Sequence, residues 1–378
     1  MLDLRKNAGG LKKMDVGLQM ICATYGWDDC SDQQAYDEEI KLALLAADSG
    51  FNCLWAVEHH HHDYSFCPDN LQLMAYLAGQ RPKIDVGTAA VILPWNDPLR
   101  VAEKVSMLDH FTDGRLRFGI GRGLARREFE AFRVSMDESR TRFDESAAMI
   151  VEALETGWME GNGPHYKQPR VEIRPRPRFP IRDRLYAVAS SDDSVVSAAK
   201  LGAHMVMFAD RPWPSRLPAI QKHRELIQEF FPGMAPPRPL IADFCVCTPT
   251  MDGAEELARK YMGPFVLSNF EHYELLGEHF STVKGYDAYA AKVAVAKEVG
   301  IEGIIDGFMQ ASVWGTPDQV LKMLEERRDL IGDFELATSF RFGGTPYEVA
   351  EQSLKLYAKE VLPVIQSWQS ETAQVAAE

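Results

Sequence analysis

The chain has 378 residues, 46% of them hydrophobic and 25% charged, which is the make-up of an ordinary globular protein large enough for one big domain. Its 55 acidic residues against 41 Lys and Arg give a formal net charge of −14. That balance excludes a protein that grips nucleic-acid phosphates or anionic lipid through a basic face. No apolar run has the length needed to span a bilayer, and the segment Met1–Gly10 lacks the apolar core of a secretory signal, so a cytoplasmic location and no membrane partner are expected. The six cysteines form no C-x-x-C pair and are expected to be free, buried thiols.

Strand and helix signals alternate along the chain. Met14–Met20 reads as a strand. Asp37–Ser49 carries a helical apolar face that stops at Gly50. Cys53–Val57 is a short buried strand, Leu71–Ala78 a helix, and Ile84–Leu93 a strand bounded by Pro94. Leu99–Asp109 is helical, Leu116–Ile120 a strand, and Asp137–Trp158 a long helix. Five prolines between Gly161 and Arg184 mark a loop or a pair of edge strands inserted into the domain. The rhythm then resumes: strand Leu185–Ala189, helix Val195–Leu201, strand Met205–Phe208, helix Arg216–Phe230 and strand Leu240–Val246. Helices fill Gly253–Val299 and Pro317–Leu330, Phe334–Phe340 is a last strand, and Tyr347–Gln366 a last helix.

Eight strands, all but one followed directly by a helix, imply a parallel sheet, and eight such units favour a closed (β/α)8 TIM barrel with insertions over an open doubly wound sheet. Residues 1–378 then form a single α/β domain. Gly119-Ile-Gly121-Arg-Gly123 has the wrong spacing for a dinucleotide-binding turn.

In a barrel the reactive groups follow the strands, at the C-terminal face. Glu58-His59-His60-His61-His62 lies there. Four consecutive histidines could trap a metal or be solvated. Because neighbours on extended chain point to opposite sides, the expectation is no metal and one imidazole at the mouth acting near neutral pH. On propensity, Ala89-Ala90 are two small core residues. Gly121-Arg122-Gly123-Leu124 suits close approach to a phosphate, or is a turn whose arginine pairs with a carboxylate. Ser190, Ser191 and Ser194, between a strand and a helix, are a phosphate cradle or a plain helix cap.

Three strings in particular, Val86–Pro94, Leu116–Leu124 and Gly315-Thr-Pro-Asp318, together with Glu58-His59-His60 and Lys284-Gly-Tyr-Asp287, make the chain from about Met14 to Ile365 resemble the luciferase-like flavin monooxygenases. The resemblance implies that His59 is the catalytic histidine. It also implies that the Ala89–Ala90 peptide is cis beneath a flavin ring, and that Arg122 holds the FMN phosphate with Ser191. The cofactor contacts carried over are Glu58, Ala89, Ala90, Arg122, Leu124, Ser190, Ser191 and Ser194. The implied activity is oxygenation of a small apolar carbonyl-type substrate by reduced FMN and O2 through a C4a-peroxyflavin. A separate NAD(P)H:flavin reductase supplies the FMN, the enzyme is a homodimer in which the Pro98–Asp109 helix takes part, and a lid spans about 280–311. Three alternatives stand beside it: an F420-dependent oxidoreductase of the same superfamily, a non-catalytic flavin-binding protein, and a metal-dependent hydrolase using the histidine run. Gly121 stands where light-emitting relatives carry a cysteine, the lid region is shorter than theirs, and Ser190 stands where they carry a glutamate, so the resemblance leaves light emission undecided.

Overall fold

The short strands are near-continuous runs of buried residues, as in the second strand Cys53-Leu-Trp-Ala56, so each buries one face against helices and the other around a common axis. In the computed structural model, which describes residues 14–25, 30–281, 283 and 286–368, the barrel strands are Val16–Met20, Cys53–Ala56, Asp85–Thr88, Leu116–Gly121, Leu185–Val188, His204–Phe208, Leu240–Cys247 and Glu335–Ser339. Each pairs in parallel with the next, and the eighth closes on the first with Val16 opposite Leu336. The result is the closed eight-stranded barrel expected from the sequence.

Val16, Leu18 and Met20 join the large core between barrel and helices. The alternate residues face the axis. There Trp55, fully buried, occupies the space left by Gly17 and Gly87, where added Cβ atoms would fall 2.6 and 2.3 Å from the indole. Tyr186 meets it edge-on with ring centroids 5.0 Å apart. At the N-terminal end, Arg117 pairs with Asp85 at 2.9 Å and with Glu335 at 3.5 Å. Arg238 reaches Glu335 at 3.1 Å, and the Tyr186 hydroxyl donates to Glu335 at 2.8 Å. These interactions plug the barrel floor and leave the C-terminal mouth for chemistry.

The third strand is shorter than the sequence reading. It ends at Thr88, and after a cis Ala89–Ala90 peptide the chain resumes as Val91–Ile92, paired with the fourth strand. Thr88 replaces the ladder with its side chain: its hydroxyl donates to the Gly119 carbonyl and accepts from the Gly119 N–H, both at 2.9 Å. The proline-rich insertion takes the edge-strand alternative, an antiparallel hairpin of Trp158–Asn162 with Lys167–Glu172.

The helical stretch after the seventh strand resolves into Met251–His272 and Asp287–Ala311, the latter broken at Gly300 (φ 71°). A further strand, Val313–Gly315, then pairs with the seventh strand before helix Pro317–Ile331, and the sequence reading had no strand there. Phe244 of the seventh strand docks this insertion through Phe265 and Phe308, with centroids 4.5 and 5.0 Å away, and meets Phe342 from beyond the eighth strand at 5.2 Å. The six cysteines are free, five of them buried and Cys30 half-buried. Among the described residues, no helix is long and apolar enough to cross a membrane.

Trp55 fills the axial space over Gly17 and Gly87, so Trp55→Ala leaves a large void on the axis. The expected loss is about 3–5 kcal/mol, read as a lowered urea midpoint.

Candidate active site

The second strand ends beside the axis, and Glu58-His59-His60 turns out of it at the mouth. The histidine run does not converge. His59 Nδ1 lies 3.2 Å from Glu128 Oε1, whereas His60 Nε2 lies 3.3 Å from Glu58 Oε1. His61 is exposed with a positive φ of 58°, and His62 accepts from the Tyr64 N–H at 3.1 Å.

Glu58 is buried and fully engaged. One oxygen accepts from the Ile92 N–H at 3.1 Å, and the other accepts from Trp95 Nε1 at 2.9 Å and Asn96 Nδ2 at 3.2 Å. The carboxylate therefore ties the loop after the second strand to the segment after Ala89–Ala90. Ala89 and Ala90 are themselves buried beside the mouth.

His59 is held from three sides. Glu128, on the short helix Arg126–Ala131, also accepts the His60 backbone N–H at 2.8 Å. The Tyr273 hydroxyl lies 3.1 Å from His59 Nε2, and the His59 backbone N–H donates to the Cys67 carbonyl at 3.2 Å. His272, at the end of the insertion helix, is fully buried, stacks on Tyr64 at 4.8 Å, and places Nε2 3.6 Å from Glu128 Oε1. Burial alone would raise the Glu128 carboxyl, but the imidazoles of His59 and His272 outweigh it and hold the group well below the usual carboxylate range. Burial pushes His272 down to about 4, so it is neutral at neutral pH.

A second cluster forms after the fourth strand. Gly123 adopts φ +81°, and a Cβ there would meet Trp95 at 2.9 Å, so this turn requires glycine. Arg122 lies under the Tyr286 ring, 3.9 Å from its centroid, while the Tyr286 hydroxyl donates to the Gly123 carbonyl at 3.1 Å. Tyr286 belongs to the expected lid motif, of which Thr282, Lys284 and Gly285 lie outside the described residues. Leu124 packs against the small apolar cluster formed by Phe129, Met136, Phe280 and Tyr286.

Arg140 stands nearby. It donates to Ser197 Oγ at 3.1 Å, yet its Nε and Nη2 are buried without a hydrogen-bond partner. Burial and then the like charge of Arg122 lower its guanidinium from the ordinary value. Ser191 and Ser194 cap helix Asp192–Lys200 as a reciprocal pair, the Ser191 N–H donating to Ser194 Oγ at 2.8 Å and the Ser194 hydroxyl donating to the Ser191 carbonyl at 2.7 Å. Ser190 is half-buried just before them. Two neighbouring guanidiniums, one of them with buried N–H groups that have no hydrogen-bond partner, next to a helix N-terminus with hydroxyls, fit a phosphate monoester.

The luciferase-like monooxygenase profile matches residues 18–333. The chain belongs to this family. The alkanal monooxygenase alpha chain of Photorhabdus luminescens is 26% identical over 354 residues, 92% of this luciferase-like chain and 96% of that one. Two solved structures share the fold. The oxygenating constituent of 3,6-diketocamphane monooxygenase from Pseudomonas putida, in complex with FMN, has a TM-score of 0.70 at 20% identity, covering 93% of this chain and 98% of that one. The coenzyme F420-dependent tetrahydromethanopterin reductase of Methanopyrus kandleri has a TM-score of 0.67 at 19% identity, covering 93% and 99%.

Glu128, Arg140, His272 and Tyr273 carry no motif in the sequence, and Tyr286 stands there only as part of the lid string. Glu128 sits in the charged string Arg126-Arg-Glu-Phe-Glu, one acid among several, and His272 lies more than 200 residues from His59. The only available signal was the position of Glu128 and Arg140 just downstream of the Arg122 turn.

The buried His272 refuses a proton until about pH 4, whereas an unfolded imidazole accepts one near 6.5. Its share of stability is complete above about pH 6.5 and lost as pH falls toward about 4. In His272→Phe, the urea midpoint should therefore depend less on pH across that window than in the unmodified protein. Parallel curves would refute the assignment.

Proposed function

We propose that this luciferase-like chain is the oxygenase component of a two-component flavin monooxygenase. It takes reduced FMN from a separate NAD(P)H:flavin reductase and, with O2, oxygenates a small apolar carbonyl-type substrate. The observation that carries the reading is the buried Arg140 guanidinium beside Arg122 and the Ser191–Ser194 cap, its Nε and Nη2 buried with no hydrogen-bond partner. Ser190 and Leu124 flank that place, and Ala89 and Ala90 supply a small-residue floor between it and the histidine cluster. Bound reduced flavin supplies two electrons for O2, one oxygen atom going to the substrate and the other leaving as water.

The chain's own part is positioning and proton management. Arg122 and Arg140 neutralise the phosphate. Glu128 fixes His59 at Nδ1 and Tyr273 meets it at Nε2, so the ring can hold or pass a proton without leaving its place. Tyr286 and the insertion helices cover the mouth on one side, which restricts water. The free thiols suit a reducing cytoplasm.

Photoreduced FMN mixed rapidly with aerated buffer tests this. With the protein present, flavin reoxidation should acquire a slow phase absent from free FMN. His59→Ala should shorten that phase, and Arg140→Ala should weaken FMN binding by about 10–100-fold, the worth of a lost charge-assisted hydrogen bond. Reoxidation identical to free flavin, together with oxygen-independent hydride transfer to F420, would replace this reading with the deazaflavin one.

We also propose a homodimer through helices Asn70–Gln80 and Pro98–Thr112, because Tyr76, Met107 and Phe111 stand 54%, 45% and 63% exposed there. Phe111→Lys should shift the protein to monomer on size-exclusion chromatography, and an unchanged elution volume would exclude this face.

A further inference from the structure

We infer that His59, Glu128 and His272 form a binding site for one zinc-type divalent cation at the barrel mouth. One ligand atom from each residue lies within 4.8 Å of the other two. His59 Nδ1 is 3.2 Å and His272 Nε2 is 3.6 Å from Glu128 Oε1. A tetrahedral ion with donors at about 2.0–2.1 Å spaces them about 3.3 Å apart, so each imidazole nitrogen already stands near that separation from the carboxylate oxygen.

The second observation is His272 itself. It has no exposed surface, yet neither ring nitrogen has a hydrogen-bond partner. A buried imidazole with two unused nitrogens is costly unless something occupies the space they face. A cation between Nε2 and the ionised Glu128 has the right charge and size. His59 is prepared for the same role, because Tyr273 engages Nε2 at 3.1 Å and so leaves Nδ1 directed at Glu128.

Two imidazoles and one carboxylate select a borderline-soft ion over Mg2+ or Ca2+, which take oxygen donors. The ligands come from three places: the loop after the second strand, helix Arg126–Ala131, and the end of helix Met251–His272. The ion therefore clamps the insertion to the barrel. The remaining histidines of the run do not share the site. His60 faces Glu58, and His62 Nε2 lies 3.8 Å from Glu271.

This inference concerns binding alone and does not depend on the flavin reading. The full-length protein, stripped with chelator, is titrated with Co2+. The expected result is visible d–d absorption of tetrahedral strength, saturating at one equivalent and bleached by Zn2+. His272→Phe keeps a ring against Tyr64 and should abolish the band. Glu128→Gln preserves side-chain shape and should abolish it too, which guards against a misfolded single variant. Circular dichroism verifies the fold of each. The double variant His61→Ala/His62→Ala should bind as tightly as the unmodified protein. No band at one equivalent, a band that survives both ligand variants, or loss of the band in the His61/His62 double variant would each overturn the site.

Discussion

The mouth of this barrel is organised around one exchange, the two 2.9 Å hydrogen bonds between the Thr88 hydroxyl and the backbone of Gly119. Because the Thr88 side chain stands in for the ladder, the third strand stops and Val91–Ile92 pairs higher on the fourth. That displacement brings the Ile92 N–H, Trp95 and Asn96 within reach of Glu58, which accepts from all three. Trp95 then stacks on Phe132 at 5.3 Å, and Gly123 must lack a side chain to pass beneath it. The loop that aims His59 and the turn that aims Arg122 are thus joined through one buried carboxylate.

The exchange also requires the glycine. A Cβ on Gly119 would fall 2.0 Å from the Thr88 carbonyl oxygen, a collision with rigid backbone. Farther down the axis, Gly17 and Gly87 make room for Trp55 in the same way. The barrel packs its interior by setting one large ring against absent side chains, while polar pairs close the floor. Above Trp55 the mouth is left for small residues and the two clusters.

The histidine cluster joins ordinary barrel parts to the insertion after the seventh strand. His272 and Tyr273 come from its first helix and Tyr286 precedes its second, and they meet His59 and Arg122 from above. The insertion is anchored by Phe244 packed on Phe265 and Phe308, and by hydrogen bonds to the mouth such as that from the Tyr286 hydroxyl to the Gly123 carbonyl. Packing of this kind lets the segment act on both clusters together, the histidines on one side and the arginines on the other.

All eight barrel strands were legible in the sequence, because alternation with helices at regular spacing is a local pattern that survives folding. The position of the Glu58–His62 run and of the Arg122 turn at the mouth was also legible, since both follow a strand, whereas the choice of His59 came from the family resemblance. Also local was the disagreement among the four histidines, as neighbours on extended chain cannot converge. What only the tertiary structure decided is which distant groups face them. Glu128 looked like one acid among many until burial between two imidazoles made it a fixed anion. Arg140 looked like a surface base until its guanidinium was enclosed beside Arg122. His272 carried no signal at all, because its environment is built from a helix end, a loop and a short helix that share no sequence neighbourhood. Desolvation and charge depend on distance in space, which one-dimensional spacing does not encode.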